Sequence, residues 1–486
     1  MKTMHAAGLV GSVWMLAGAA FCVGDEIRVP EDRPTIQAAI DAAESGDVVR
    51  VSPGTYRERI RLKPGVILRG AGDNDKAGAE ATILDGGGEN GDAPGVTMAE
   101  GATLDGFTVT NVGRYDEAVW QKNWEEKGAK QAHEHIGNFG VPAIAIAGVD
   151  CTVIRNMVHH NGDTGIAIRG VEGKRCAPLV ADNLCYRNMG GGIGSMHGST
   201  AIITGNECRE NFYAGIGHDD ASPLVMGNIC HGNIRAGIGI SEGASPVVRG
   251  NQCFENRRAG IGIRTGANTR PVVEDNDCHH NEMAGIGVEE EAEPVLRGNR
   301  CHHNTLAGIG SQSGARPVLV ENHCHDNAAA GIGARSGEAI AIRNRVEKNG
   351  STGIGVEGDA RAVLVGNLCE ENRLVAVGVP AGGEAVLVDN TLVRTGGMPP
   401  IVAILKGATA AMVGNTVRGG GVGAVMLDGR LRAVANTLEG ANGGSGIVVR
   451  KEAEAFLSGN TITGYRKPVS GEGRVVGEPE GRESTR

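Results

Sequence analysis

Asn251-Gln252-Cys253-Phe254-Glu255-Asn256-Arg257-Arg258-Ala259-Gly260-Ile261-Gly262-Ile263 is one copy of a phrase that this chain repeats: Asn, any residue, Cys, two residues, Asn, three residues, Gly-Ile-Gly. The same phrase joins Asn206, Cys208 and Asn211 to Gly215-Ile216-Gly217, and Asn299, Cys301 and Asn304 to Gly308-Ile309-Gly310. Its leading Asn recurs fourteen times between Asn156 and Asn460, at intervals of 21 to 27 residues. Such a period means a solenoid with one turn per repeat, because one unit is too small to bury an apolar face unless it stacks on its neighbours.

Each unit holds three short apolar pieces separated by turn residues: Pro246-Val247-Val248, the Cys253 segment, then Ile261-Gly262-Ile263. The units are too short and too glycine-rich for helical repeats, and they lack the several leucines of a leucine-rich repeat. Three β-branched strands per turn with Gly and Asn at the corners describe a parallel β-helix. The expected fold is therefore all-β, a single-stranded solenoid of about 15–17 coils, ~70–80 Å long at ~4.8 Å per coil.

Further upstream, Pro34-Thr35-Ile36-Gln37-Ala38-Ala39-Ile40 precedes Ser45-Gly46-Asp47-Val48-Val49-Arg50-Val51 and Pro53-Gly54-Thr55-Tyr56. Thr35 can cap a short helix whose Ile36, Ala39 and Ile40 share a face, with Gly46 ending it. With these segments the chain resembles the right-handed parallel β-helix superfamily, the pectin-lyase-like fold, over residues 25–465. The resemblance implies that the helix closes the first coil and that the Gly-Ile-Gly strand lines a substrate groove. It implies no single activity, because the superfamily includes lyases, hydrolases, esterases, epimerases and non-catalytic proteins.

The 486 residues form one expected domain, since a solenoid grows by adding coils. Net charge is −10, from 57 acidic and 47 basic residues, which argues against general nucleic-acid binding. Lys2, the apolar run Ala6–Ala20 and the small residues Ala17-Gly18-Ala19 read as an export signal over residues 1–24. No later apolar run is long enough to span a bilayer. A secreted or periplasmic location follows as an expectation, with the cell surface included. Residues 466–486 are polar and read as a flexible tail.

Eight of the eleven cysteines, from Cys185 to Cys369, share one slot of the repeat, and Val158, Val346, Leu392 and Val417 take it in other coils. That is a small buried apolar slot, so a ladder of free thiols is expected; parallel Cβ vectors on stacked coils suit disulfide geometry poorly. The two Asn columns read as internal hydrogen-bond ladders at coil corners.

Strand alternation turns the second Gly of each Gly-Ile-Gly outward, giving a bare stripe from Gly194 to Gly355. Two residues further lies a polar column that includes Asp219, Ser241, Arg264 and Glu289, with Glu242 just beyond Ser241. Such a track suits an extended polymer; the simpler reading is that tight corners exclude side chains and the charges keep the face soluble. The period breaks at residues 112–140, an insertion holding Tyr115, Trp120, Trp124 and His135 and expected to overhang that face. Tyr115, Trp120 and Trp124 suit sugar rings, or alternatively pin the loop to the barrel. Candidate acid–base groups are Asp219, Asp220, His197, Arg264 and His135, whereas His218 occupies an inward slot where it needs a partner such as Ser195. Asp219-Asp220 resembles the paired carboxylates of the polygalacturonase branch, although the rest of that branch's motifs is missing.

The leading functional expectation is binding of an extended polysaccharide, with or without processing as a polysaccharide lyase, glycoside hydrolase or uronan epimerase. A non-catalytic structural rod is the alternative. A third reading uses His279, His302 and His325, which follow the Cys slot on consecutive coils and could chelate a metal, as the superfamily's copper-enzyme accessory proteins suggest. The sequence requires no cofactor, and calcium is compatible with it. It leaves the oligomeric state open.

Overall fold

A computed structural model describes residues 24–73, 76–89, 91–126, 128, 140–397 and 399–477. The export signal expected at 1–24 lies almost wholly outside them, as do His133, Glu134 and His135. Three parallel sheets run the length of the molecule: sheet A with 19 strands, sheets B and C with 17 each. The chain visits A, B and C in turn, giving 17 complete coils with one further sheet-A strand at each end. The coil number meets the upper end of the expectation. The solenoid runs further than expected, because Lys467–Gly471 and Arg474–Val476 pair with Ser445–Val449 and Glu454–Ser458.

The N-terminal end is closed by α1, Ile36–Ala42, whose Ile36, Ala39 and Ile40 are buried. Thr35 Oγ1 accepts from the Ala38 N–H at 3.2 Å, and the Glu58 carboxylate accepts from the Ile36 and Gln37 N–H groups at 3.0 Å each. These contacts satisfy three amide donors that a helix start leaves open.

Inside the solenoid the repeat letters become neighbours. Cys185, Cys208, Cys230, Cys253, Cys278, Cys301 and Cys324 are paired in register, flanked in the same column by Val158 and Val346. The ten described cysteines are free and buried. Burial pushes the Cys369 thiol up to about 12 and raises Cys208 well above its ordinary value, so these two stay neutral and behave as small apolar side chains.

The Asn columns form two continuous ladders. Asn251 Nδ2 donates to Asn276 Oδ1 at 2.9 Å and to the Val225 carbonyl at 3.0 Å, while its own N–H donates to the same Asn276 oxygen. Asn256 repeats the pattern with Asn281 and the Cys230 carbonyl. Every amide is thus satisfied where water is excluded, which makes a buried polar column tolerable.

Candidate functional site

The Gly-Ile-Gly strands form sheet C, and their second glycines pair in register from Gly194 through Gly217, Gly239, Gly262, Gly287, Gly310 and Gly333 to Gly355. The two glycines of each triplet have different reasons to be there. A Cβ on Gly237 would lie 2.7 Å from the Gly260 carbonyl oxygen and 2.8 Å from Asn256 Nδ2, so that position admits no side chain. A Cβ on Gly239 or Gly262 would meet only the Cβ of Ala214 or Ala236, at 3.5 and 3.7 Å, and one on Gly217 or Gly333 would meet nothing. None of these outward glycines has the positive φ that would demand glycine. The bare floor is not imposed by the fold.

One wall of the floor is a column not singled out from the sequence. Backbone hydrogen bonds join Tyr213 to Gly190, Arg235 to Tyr213, Arg258 to Arg235 and Met283 to Arg258, so these residues stack along one edge. Asp163 heads the column beside Gly190; it is 7% exposed, and burial raises its carboxyl above the usual range. Burial, then the neighbouring charges of Arg258 and Arg264, lowers the Arg235 pKa to about 10. Arg258 is lowered mainly by burial and feels both Glu289 and Arg264. Three guanidinium groups therefore gather around Gly239 and Gly262 in a chain that is acidic overall. Arg235 and Arg258, at the same place in two successive repeats, were the signal available in the sequence; Arg264, further along the second of these repeats, hid the grouping.

The other wall holds several of the expected residues. Asp219 pairs with Ser241 in the outward column, and Arg264 and Glu289 follow on the next coils. Gln312 Nε2 donates to Glu289 at 2.8 Å, and the Ser241 hydroxyl reaches the His218 carbonyl at 3.4 Å. His197, Asp220 and Glu242 occupy left-handed corners just beyond, with φ of 53°, 46° and 54°. The His197 N–H donates to the Asp219 carbonyl, which places them on adjacent coils at the floor's far edge. Asp219 ends its strand and Asp220 turns the corner, so the two do not form a facing carboxylate pair. His218 points inward, its Nδ1 2.7 Å from Ser195 Oγ, and burial lowers its pKa to about 3.

The described part of the insertion, residues 112–126 and 128, borders this floor. Its helix α2, Glu117–Glu125, is capped by Asp116 Oδ1, which accepts from the Val119 N–H. It packs on the turns between sheets B and C. Trp120 is 2% exposed, clusters with Phe212 and Ile234, and donates from Nε1 to the Glu210 carbonyl at 2.7 Å. One side of it faces the Arg187 guanidinium at 4.0 Å, and it also stacks on Trp124 at 5.3 Å; Trp124 in turn faces Arg257 at 4.1 Å. Tyr115 donates to Glu117 at 2.8 Å and lies edge-on to His160. Of the two roles expected for these aromatics, Trp120 has the geometry of an anchor and offers no open sugar platform, because a surface helix of mixed polarity needs an apolar contact to dock; Trp124 and Tyr115 are half-buried, against Arg257 and beside His160. The end of α2 reaches the arginine wall, where the Glu126 charge acts on Arg235.

The His column lies on sheet B. His279 and His302 stack at 5.0 Å, and His302 and His325 at 4.8 Å with 5° between planes. Their ring atoms bond sideways: His279 to His280, His302 to His303 and to Asp277, and His325 to Asp326. Stacked rings present faces to one another, not converging lone pairs. Among the described residues no group of three or more His, Cys, Asp or Glu side chains is arranged to hold a metal ion, so the chelating reading of His279, His302 and His325 is not supported.

No helix among the described residues is long and apolar enough to cross a membrane. A search of curated proteins finds no match. Solved structures that match this chain include the A-module of the Azotobacter vinelandii mannuronan C-5 epimerase AlgE6, at 15% identity and a TM-score of 0.32, covering 93% of this chain and 95% of that one. Pre-mature gene product 12 of bacteriophage phi29 is 12% identical with a TM-score of 0.51, covering 92% and 71%. The periplasmic alginate epimerase AlgG is 13% identical with a TM-score of 0.32, covering 68% and 78%. Of these three, the phage protein's match, with a TM-score above 0.5, bears on the fold, and at 12% identity it bears on the fold alone. The model of the right-handed β-helix region matches residues 135–272 and 262–393, together just over half of the sequence, and the chain belongs to that family.

Proposed function

We propose that this protein binds an extended, negatively charged polysaccharide along the outward glycine track of sheet C. The observation that carries this reading is the absence of side chains at Gly217, Gly239, Gly262 and Gly333, where neither dihedral angle nor packing forbids one. Glycine inside a strand costs ~0.5–1 kcal/mol relative to alanine, so a register of such glycines needs another reason. A flat floor that a polymer can approach closely is such a reason. Arg235, Arg258 and Arg264 around Gly239 and Gly262 supply the positive charge for the polymer's acidic groups. The export signal expected at residues 1–24 would place the protein where such polymers occur, in the periplasm or outside the cell.

Processing is a second reading, favoured by Asp163. A buried acid with a raised pKa at the head of the arginine wall has the character of a proton-transfer group. Unsaturated chain ends, new reducing ends or inverted C5 centres in the incubated polymer would identify a lyase, a hydrolase or an epimerase.

The test begins with a glycan array and continues with Gly239→Leu/Gly262→Leu on the best ligand. Binding is expected to fall at least ~100-fold with the melting temperature within about 2 °C of wild type. Arg258→Ala and Arg264→Ala should each weaken binding by ~10–100-fold, the value of a hydrogen bond to a charged group. Retained affinity in the double leucine variant would remove the glycine track from consideration.

A further inference from the structure

We infer that the C-terminal half of the glycine floor selects acidic polysaccharides whose sugars carry O-acetyl groups; this rests on polysaccharide binding at the same track and names the class of polymer. The edge column that holds Tyr213, Arg235 and Arg258 does not stay basic. It continues on the next coils through Met283, Leu306, Ala329, Ser351 and Leu374, each joined to the one before by a backbone hydrogen bond of 2.9–3.3 Å. Leu306 and Leu374 are 41% and 47% exposed, and Met283 and Ala329 are half-buried. Ala284 and Ala307 lie at the foot of this wall: a Cβ on the outward Gly310 would meet the Cβ of Ala307 at 3.8 Å and that of Ala284 at 3.9 Å. Over four coil steps, ~19 Å at ~4.8 Å per coil, the floor is therefore bordered by thioether and alkyl groups where the preceding coils present guanidinium groups. Single exposed leucines are ordinary, but a strip of them beside a bare groove marks a contact surface.

The two halves of the edge together specify what one polymer must carry. Hydroxyl and carboxylate groups laid against Leu306 and Leu374 would give up water without gaining a partner, which is unfavourable. Leucine and methionine also lack the flat ring on which a sugar face stacks best. Such a wall accepts methyl-sized groups, and on a sugar polymer these are the ends of short esters: acetyl on a hydroxyl, or methyl on a carboxyl. The N-terminal half separates the two. Arg235, Arg258 and Arg264 call for free carboxylates, which methyl esterification removes and O-acetylation leaves in place. The opposite wall adds little charge over the far coils, since Gln312 Nε2 donates to Glu289 at 2.8 Å and Arg335 lies 3.6 Å from Glu357. The polymer that satisfies both halves is anionic along its length and acetylated on the sugars lying beside Met283 to Leu374.

Calorimetric titration tests this with the acidic oligosaccharide that ranks first in the glycan array, long enough to cover the floor, in three forms: unesterified, O-acetylated and methyl-esterified. One buried methyl group is worth about a fourfold gain in affinity, so two or three acetyl groups against this wall should raise affinity at least ~10-fold over the unesterified form. The methyl-esterified form should bind more weakly than either. In Leu306→Gln/Leu374→Gln the acetylated-to-unesterified ratio should fall to within about twofold of unity, with the melting temperature within about 2 °C of wild type, because both side chains are exposed. In Arg258→Ala both forms should weaken and their ratio should persist. Equal affinity of wild type for the acetylated and unesterified forms overturns this inference and leaves the polysaccharide reading standing. So does a preference that survives in the leucine double variant, or tightest binding of the methyl-esterified form. Failure of every acidic glycan to bind would instead remove the polysaccharide reading, and this inference with it.

Discussion

At the scale of single residues, the molecule separates side chains that look alike in the text. Gly237 and Gly239 sit two positions apart, yet a carbon added to the first would lie 2.7 Å from a carbonyl oxygen, whereas one added to the second would make an ordinary 3.5 Å contact with Ala214 Cβ. Ser195 and His218 make a similar contrast with their column. Ile168 precedes them and Ile240 follows in register, so a polar pair sits in an otherwise apolar stack, joined by one 2.7 Å hydrogen bond. His218 Nε2 is buried without a hydrogen-bond partner. Its folded pKa is lowered to about 3 by burial, against 6.5 in the open chain. Between those values the unfolded chain takes up a proton and the folded one does not. The neutral imidazole therefore costs nothing extra above about pH 6.5, and stability is lost as pH falls below it, by ~1.4 kcal/mol per unit. Thermal melts at pH 7 and pH 4.5 should show a smaller acid-induced drop in Ser195→Ala/His218→Ile than in wild type. An equal drop in both would mean that the partly buried histidines of sheet B, such as His302, set the acid sensitivity instead.

Among the elements, the clearest division is between the coils and α2. The coils, their strand order and the three columns of Asn, Cys and Gly could be read from the sequence, because a fixed period converts spacing directly into adjacency. The insertion could not, since it has no partner of the same period; its docking depends on Phe212 and Ile234, which occupy turn positions that vary from coil to coil. The same irregularity concealed the arginine wall, whereas Asp219, Ser241, Arg264 and Glu289 were legible because they follow the strand alternation. Trp120 anchors α2 through its buried indole and the 2.7 Å bond to Glu210. Removing it by Trp120→Ala should cost ~3–5 kcal/mol of local docking free energy. Limited proteolysis is expected to cut within residues 112–140 at least tenfold faster, while the main melting transition shifts by no more than a few degrees. A solenoid coil senses chiefly its neighbours, so loss of a flanking helix stays local. Collapse of the main transition would show instead that the Trp120 cluster belongs to the solenoid's own core.

For the whole molecule, the stacking geometry sets a ruler. The outward glycines run from Gly194 to Gly355 on eight successive coils, a distance of about 34 Å at ~4.8 Å per coil. The arginines lie near its N-terminal half, around Gly239 and Gly262. Towards the C-terminal end the wall is satisfied internally, with Arg335 and Glu357 3.6 Å apart and both exposed. A polymer lying along this track should therefore gain affinity with each added sugar until it spans about 34 Å and gain little beyond that. The gain per sugar should be largest over the arginine-rich coils, where acidic groups meet charge as well as a flat surface. Calorimetric titration with a size-fractionated series of the best ligand measures the length at which affinity stops rising. Gly333→Leu should shorten that plateau by the distal coils while leaving the affinity of short oligomers within about twofold of wild type. Gly239→Leu should weaken every length. Affinity that is independent of length, or equally sensitive to both substitutions, would mean that the ligand does not run along the solenoid axis.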